Sequence, residues 1–306
     1  MSENSANSPY RGRFAPSPTG DLHMGSLVAA VASYLEARVR DGEWRLRIED
    51  LDPPREVPGS ADRMLFALEK FGFAWNGTVL YQSTRRAAYE EALETLLESG
   101  DAFPCACSRL MIAETATRTG PEGRIYPGTC RGGIQDDNNA RAIRLRAPEQ
   151  EICFDDRVQG RICQDVGREI GDFVIRRADG FFAYQLAVVV DDAFQGVTDV
   201  VRGADLLLST PRQIRLQALL GLRTPGYLHI PLLLDDDGRK LSKQARSLPV
   251  DPEQPAAALF NALRLLQQAP PLALASANVG EIWEWAAHNW QVRQLHGLAR
   301  LSIPGI

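Results

Sequence analysis

A chain of 306 residues that is 44% apolar and 24% charged, with a formal net charge of −5, has the composition of a globular protein of about two domains. Its apolar runs, such as residues 186–190, are far too short to span a bilayer, and residues 1–9 are small and polar rather than signal-like, so a cytoplasmic chain with no membrane attachment is expected. The acidic balance excludes bulk electrostatic attraction to nucleic acid but leaves room for a local basic face.

Residues 1–9 read as a disordered lead-in. The pattern then runs strand, loop, helix: Phe14 and Ala15 enter the loop Pro16-Ser17-Pro18-Thr19-Gly20, and His23-Met24-Gly25-Ser26 opens an apolar helical run from Leu27 to Val39. A strand followed by a glycine-containing turn and a helix N-terminus is a place for a nucleotide phosphate, because free backbone N–H groups and the helix dipole meet there. His23 could donate to that phosphate, and Gly25 would permit close approach. An ordinary loop before a surface helix is the bland alternative. Residues 43–49 alternate as a strand with Arg45, Arg47 and Glu49 on the polar side, and the strand's carboxyl end places Glu49 at a ligand crevice. Helical periodicity returns at 60–71 and 85–99. Residues 10–100 therefore read as the first half of a doubly wound α/β domain.

Residues 101–170 change character and read as an insertion. Three of the five cysteines fall there as Cys105, Cys107 and Cys130, with Tyr126 four residues before the last. Grouped thiols in a reducing compartment suggest tetrahedral zinc, with Tyr126 as a candidate fourth ligand; a set of unrelated buried thiols is the alternative. Cys153 and Cys163 lack such grouping and are expected to be small core residues.

Residues 171–247 read as the second half. Strand residues 172–175 turn at Asp179-Gly180 and continue as 181–186, and Val197–Val201 is a further strand that delivers Arg202 at its carboxyl end. Glu49, Arg202 and Tyr184 together would suit a zwitterion, while a Glu49–Arg202 ion pair and a buried Tyr184 are the plainer alternatives. A helix at 211–220 leads to the apolar run 229–234, in which His229 is expected to be structural. Of 34 basic residues only three are lysine, and two of them, Lys240 and Lys243, share the tetrapeptide Lys240-Leu241-Ser242-Lys243. That bias points to a need for compact, mobile point charges. Residues 248–306 read as a short helical tail whose tryptophans, Trp283, Trp285 and Trp290, are packing.

HMGS at 23–26 and KLSKQ at 240–244 resemble the paired signatures of class I aminoacyl-tRNA synthetases, and RFAPSPTG, RIEDLDPPR (47–55) and VVRGADLL (200–207) resemble the glutamyl branch. Only 63 residues follow Lys243, so the large anticodon-binding region of that branch is expected to be missing. This outline is similar to the short paralogue family, the glutamyl-queuosine tRNA(Asp) synthetases. The resemblance implies a Rossmann-type parallel sheet with a zinc-containing insertion and a short helical tail. It implies activation of L-glutamate by Mg-ATP without tRNA, then transfer to the cyclopentenediol of queuosine in tRNA(Asp); a monomer is expected, though not from the resemblance. A truncated enzyme charging the tRNA 3′ end is the alternative. Carried over by motif, Arg13, Ala15, Ser17, Glu49, Tyr184 and Arg202 would bind glutamate, and His23, Gly25, Lys240 and Lys243 would bind ATP. His23 and Lys243 would act on the phosphates, and Cys105, Cys107, Tyr126 and Cys130 would hold structural zinc. The segment from Cys107 to Tyr126 is longer than that family suggests, and Gln244 departs from the usual serine.

Overall fold

Two prolines, Pro16 and Pro18, cannot donate to a ladder, which confines the first strand, β1 (Arg11–Phe14), to four residues. The structure, a computed structural model, describes residues 9–134, 142–234 and 249–302. From β1 the chain crosses through α1 (Met24–Arg38) to β2 (Glu43–Ile48), which lies parallel to β1 with Phe14 opposite Leu46. Helix α2 (Ser60–Lys70) then leads to β3 (Leu80–Tyr81), parallel to β2, and α3 (Arg86–Glu98) follows. The periodicities at 27–39, 43–49, 60–71 and 85–99 correspond to these elements.

The middle of the chain comprises β4 (Ala102–Cys105), α4 (Arg109–Thr115), the small hairpin β5 (Thr119–Gly120) and β6 (Gly123–Arg124), and β7 (Ala142–Leu145). Next come β8 (Ile152–Asp156), β9 (Gly160–Gln164), α5 (Val166–Glu169) and β10 (Phe173–Arg176). Strands β10, β7 and β4 form one antiparallel sheet, β8 and β9 join a different one, and β5 and β6 pair only with each other, so the region 101–176 is divided among three sheets.

Helix α6 (Tyr184–Phe194) precedes β11 (Asp199–Gly203), α7 (Thr210–Leu219), β12 (Gly226–Ile230) and β13 (Leu232–Leu234). The strand expected to continue through 181–186 ends early: Phe182 makes one bridge to Arg176, and Ala183 starts α6. The reason is burial on several sides. Leu186, Ala187, Val188 and Val189 are all inaccessible, and such a run reads equally well as a buried strand or a buried helix. Strands β11, β12 and β8 pair side by side in parallel, with β9 on the edge. The N–H of Thr198, just before β11, donates to Arg11 C=O at 2.9 Å, which places β11 beside β1 and brings the two parallel sheets together.

The apolar run 229–234 is two strands because Pro231 interrupts it; β13 pairs instead with β14 (Arg300–Ser302). Helices α8 (Pro255–Leu265) and α9 (Val279–Asn289) pack on α1. Tyr34, Trp44, Phe73 and Trp283 form one aromatic cluster with ring centroids 4.8 to 5.3 Å apart, and Trp283 Nε1 donates to Phe71 C=O at 2.9 Å. The late tryptophan is thus packing, as its sequence suggests. No helix among the described residues is long and apolar enough to cross a membrane.

Cys153 and Cys163 are not core thiols. They form a disulfide across the β8–β9 hairpin, where they are register partners, and Cys163 is exposed. Directly opposed positions of an antiparallel pair hold their Cβ atoms close enough to bridge, a relationship invisible until the hairpin register is known.

Candidate functional site

The carboxyl ends of β1, β2 and β11 converge, and the N–H of Glu49 donates to Pro16 C=O at 2.9 Å, tying the loop after β1 to the end of β2. Arg13 is buried; its Nε donates to Asp192 Oδ1 at 3.2 Å and its Nη1 to Val201 C=O at 3.4 Å. Arg47 is buried beside it. Its Nη1 reaches the same Asp192 oxygen and Gln195 Oε1, both at 2.8 Å, and its Nη2 reaches Glu49 Oε1 at 3.3 Å. Alternation had assigned Arg47 to the polar side of β2. At Arg47 that side faces the end of α6, not water.

The two carboxylates of this network behave differently. Burial raises the pKa of Asp192, but the adjacent Arg13 and Arg47 more than offset it and hold the group below the usual carboxylate range. At Glu49 burial prevails over Arg47 and Arg13, with the Asp192 charge adding to it, and the pKa is raised.

Arg202, on β11, is buried without an ion-pair partner among the described residues. Its Nε donates to His229 Nε2 at 3.0 Å, its Nη1 to the Tyr184 hydroxyl at 3.2 Å and its Nη2 to Thr210 Oγ1 at 2.9 Å. All three acceptors are neutral. The expected Glu49–Arg202 alternative does not form: Glu49 pairs with Arg47. A guanidinium has five N–H bonds, so two of those on Arg202 remain for an anionic ligand.

His23 caps α1. Its Nδ1 accepts from Ser26 N–H at 3.2 Å, and its Nε2 lies 3.1 Å from Ser26 Oγ. A Cβ on Gly25 would meet the His23 ring at 3.2 Å, so the close approach at Gly25 is that of its own helix cap. Pro249 bridges to His23, and Val250 N–H donates to Leu22 C=O at 2.8 Å. Ala15 is half-buried and Ser17 exposed in the loop after β1. Lys240, Lys243 and Gln244 lie outside the described residues.

The thiols of Cys105, Cys107 and Cys130 lie within 4.8 Å of one another, with Cys107 and Cys130 Sγ atoms 3.6 Å apart. The Tyr126 hydroxyl is 3.6 Å from Cys105 Sγ and 3.9 Å from Cys107 Sγ. Tetrahedral Zn–S bonds of about 2.3 Å put sulfurs about 3.8 Å apart, so the donor set fits such an ion. Arg144 donates to Cys105 Sγ at 3.3 Å and stacks its guanidinium 4.1 Å from the Tyr126 ring centroid, supplying positive charge beside the cluster.

Comparison with known proteins decides the family. The profile of the class I tRNA synthetases (E and Q), catalytic domain, matches residues 10–276. The chain is 56% identical over 285 residues to a glutamyl-Q tRNA(Asp) synthetase of Dechloromonas aromatica (93% of this chain, 95% of that protein). It is 56% identical over 290 residues to the protein of the same name from Chromobacterium violaceum (95% and 96%). The chain belongs to the glutamyl-Q tRNA(Asp) synthetase family of class I synthetases. Among solved structures, a glutamate-tRNA synthetase from Elizabethkingia anophelis superposes with a TM-score of 0.78 at 23% identity, over 97% of this chain and 68% of that one, which establishes a shared fold.

Of the residues that the sequence singles out, Arg13, Glu49, Tyr184 and Arg202 are brought together here. Reading the sequence missed the residues behind them: Arg47, Asp192, Thr210 and the pair Asp156 and His229. One signal was available. Asp191-Asp192 is an acidic pair inside the apolar run of α6, and buried acids of that kind need cations. Asp191 meets Arg85, Gln82 and the Tyr89 hydroxyl.

Proposed function

We propose that the chain activates L-glutamate with Mg-ATP, without tRNA, and transfers it to the cyclopentenediol of queuosine at the wobble position of tRNA(Asp). The observation that carries this reading is Arg202, a buried guanidinium held by three neutral acceptors beside the Arg13–Arg47–Asp192–Glu49 network. Arg13 and Arg202 hold the carboxylates of glutamate, Glu49 its ammonium, and Tyr184 and Ser17 orient it against the Ala15 loop. An amide in place of the side-chain carboxylate would leave a buried charge unpaired, at a cost of several kcal/mol, which excludes glutamine.

In the first step a glutamate carboxylate oxygen bonds to the α-phosphorus and pyrophosphate leaves. In the second a queuosine hydroxyl takes the acyl group and AMP leaves. The chain positions the reactants and stabilises phosphate charge, through His23, Gly25, Lys240 and Lys243, and offers no covalent nucleophile. Binding of nucleotide at His23 would exchange the imidazole's contacts with Ser26 for contacts with phosphate.

Cys105, Cys107, Tyr126 and Cys130 hold zinc, which supplies a structural crosslink when bound. The likeness to the glutamyl-Q tRNA(Asp) synthetases runs over 95 to 96% of those relatives' lengths, which favours this acceptor over the tRNA 3′ end. The protein would do this in the cytoplasm, as a monomer. The test is incubation with Mg-ATP, labelled glutamate and total tRNA, then ribonuclease cleavage. Label on the anticodon fragment, lost with tRNA that lacks queuosine, is expected. Label at the 3′ end would overturn the reading.

A further inference from the structure

Arg202, His229 and Asp156 occupy three adjacent parallel strands. Arg202 on β11 is the register partner of His229 on β12, and Asp156 ends β8 on the far side of β12, opposite Tyr227. The imidazole fills the gap between them: His229 Nδ1 lies 2.6 Å from Asp156 Oδ2, and His229 Nε2 accepts from Arg202 Nε at 3.0 Å. Both His229 and Asp156 are buried. A guanidinium can only donate, so Nε2 must be the bare nitrogen and Nδ1 must carry the proton that Asp156 accepts. The Asp156 carboxylate is itself fixed by the N–H groups of His229, Val158 and Gln159 at 2.8 to 3.2 Å.

We propose that Asp156 and His229 are positioning residues for glutamate recognition: Asp156 selects the imidazole tautomer, and the bare Nε2 fixes the Arg202 guanidinium plane so that its two remaining N–H bonds face the substrate carboxylate. The inference rests on the reading of Arg202 as a glutamate-binding residue. Burial, with the Arg202 charge adding to it against the pull of Asp156, pushes the His229 pKa down to about 4 and keeps the ring neutral. A second proton would set an N–H against the N–H of Arg202. The role differs from packing in a testable way, because it depends on which ring nitrogen is bare.

The test uses glutamate-dependent ATP–pyrophosphate exchange, with KM for glutamate and for ATP measured separately. His229→Asn keeps a donor for Asp156 but its amide oxygen stops short of the Nε2 position that Arg202 meets, and it should raise the glutamate KM about 10- to 100-fold, the scale of one lost hydrogen bond to a charged group. The ATP KM should stay within about threefold of the parent. In Asp156→Asn the Val158 and Gln159 N–H groups hold the amide oxygen at the Oδ1 position, which turns the NH2 toward Nδ1, moves the ring proton to Nε2, and should raise the glutamate KM to a similar extent. His229→Gln returns an acceptor near the Nε2 position and should recover a large part of the loss.

Equal rises in both KM values, or no recovery in His229→Gln relative to His229→Asn, would overturn the proposal. If His229→Asn does not fold, Asp156→Asn against the parent decides. Arg202→Ala separates the two levels of argument. An unchanged glutamate KM in that variant would overturn the assignment of Arg202 itself, whereas a raised one with unaffected His229 and Asp156 variants would overturn the positioning role alone.

Discussion

One oxygen of Asp192 accepts from both Arg13 and Arg47, 3.2 and 2.8 Å away, so a single carboxylate on α6 orients guanidinia from two parallel strands. Replacing it by Asn leaves both cations in a buried setting without their shared counter-charge. Asp192→Asn should destabilise the protein by about 3–5 kcal/mol, the range for breaking a buried ion pair from one side. Chemical denaturation measures this directly, and a loss below about 1 kcal/mol would mean that water reaches the network.

The pH dependence of glutamate use should follow Glu49. Its pKa is raised by burial, so it takes up a proton above the ordinary carboxylate range, whereas Asp192, held low, stays charged there. A protonated Glu49 offers the substrate ammonium no counter-charge. The kcat/KM for glutamate in pyrophosphate exchange should therefore fall as pH drops through the raised Glu49 pKa, and Glu49→Gln should abolish that acid limb along with most of the activity. Stability has the opposite source. Asp192 has a depressed pKa, so its contribution is complete above the unfolded value of about 3.9 and is lost only as pH falls through the lower folded value.

Metal analysis of the purified protein should find about one zinc per chain. Cys130→Ser should lose it. Cys153→Ser should keep it, because Cys153 and Cys163 are joined to each other and, although they lie near Glu151, offer no free thiolate. Zinc retained in Cys130→Ser but lost in Cys153→Ser would exchange the two assignments.

Lys243→Ala should lower pyrophosphate exchange roughly 10²–10³-fold, the scale for one preorganised donor to a charged transition state. A near-normal rate would remove the second lysine of the KLSKQ segment from the mechanism.

Trp283→Ala should cost about 3–5 kcal/mol, because the ring is buried among Tyr34, Phe73 and Gly72 and its N–H is bonded to Phe71. Thermal unfolding should lose α1 and α9 together in one transition. Separate melting of a C-terminal unit would contradict the packing.

The order of strands and helices was legible from periodicity wherever one face is polar, as in α2 and α3. It failed where burial is two-sided: residues 184–186 read as strand because the apolar run they open has no wet face, and Arg47 is put on the polar side of β2 because alternation cannot distinguish water from a buried carboxylate. In the candidate site, Glu49 and Arg202 could be named because each sits at the carboxyl end of a strand and within a motif, and Tyr184 because a phenol suits a zwitterion beside them. His229 could not be given a role, since its partners Asp156 and Arg202 are 73 and 27 residues away and meet it only through strand register. The disulfide was missed for the same reason.

Glu36, in the helix that begins after His23, is wholly buried and receives Arg40, Arg157 and, at 2.6 Å, the indole N–H of Trp290. During synthesis this carboxylate leaves the ribosome 254 residues ahead of that indole. At typical elongation rates the delay is roughly 10–50 s. Over that interval α1 exists without the last donor to its buried charge and without the Trp283 ring on Tyr34. This helix, among the first elements made, reaches its final packing only when nearly all of the chain has emerged.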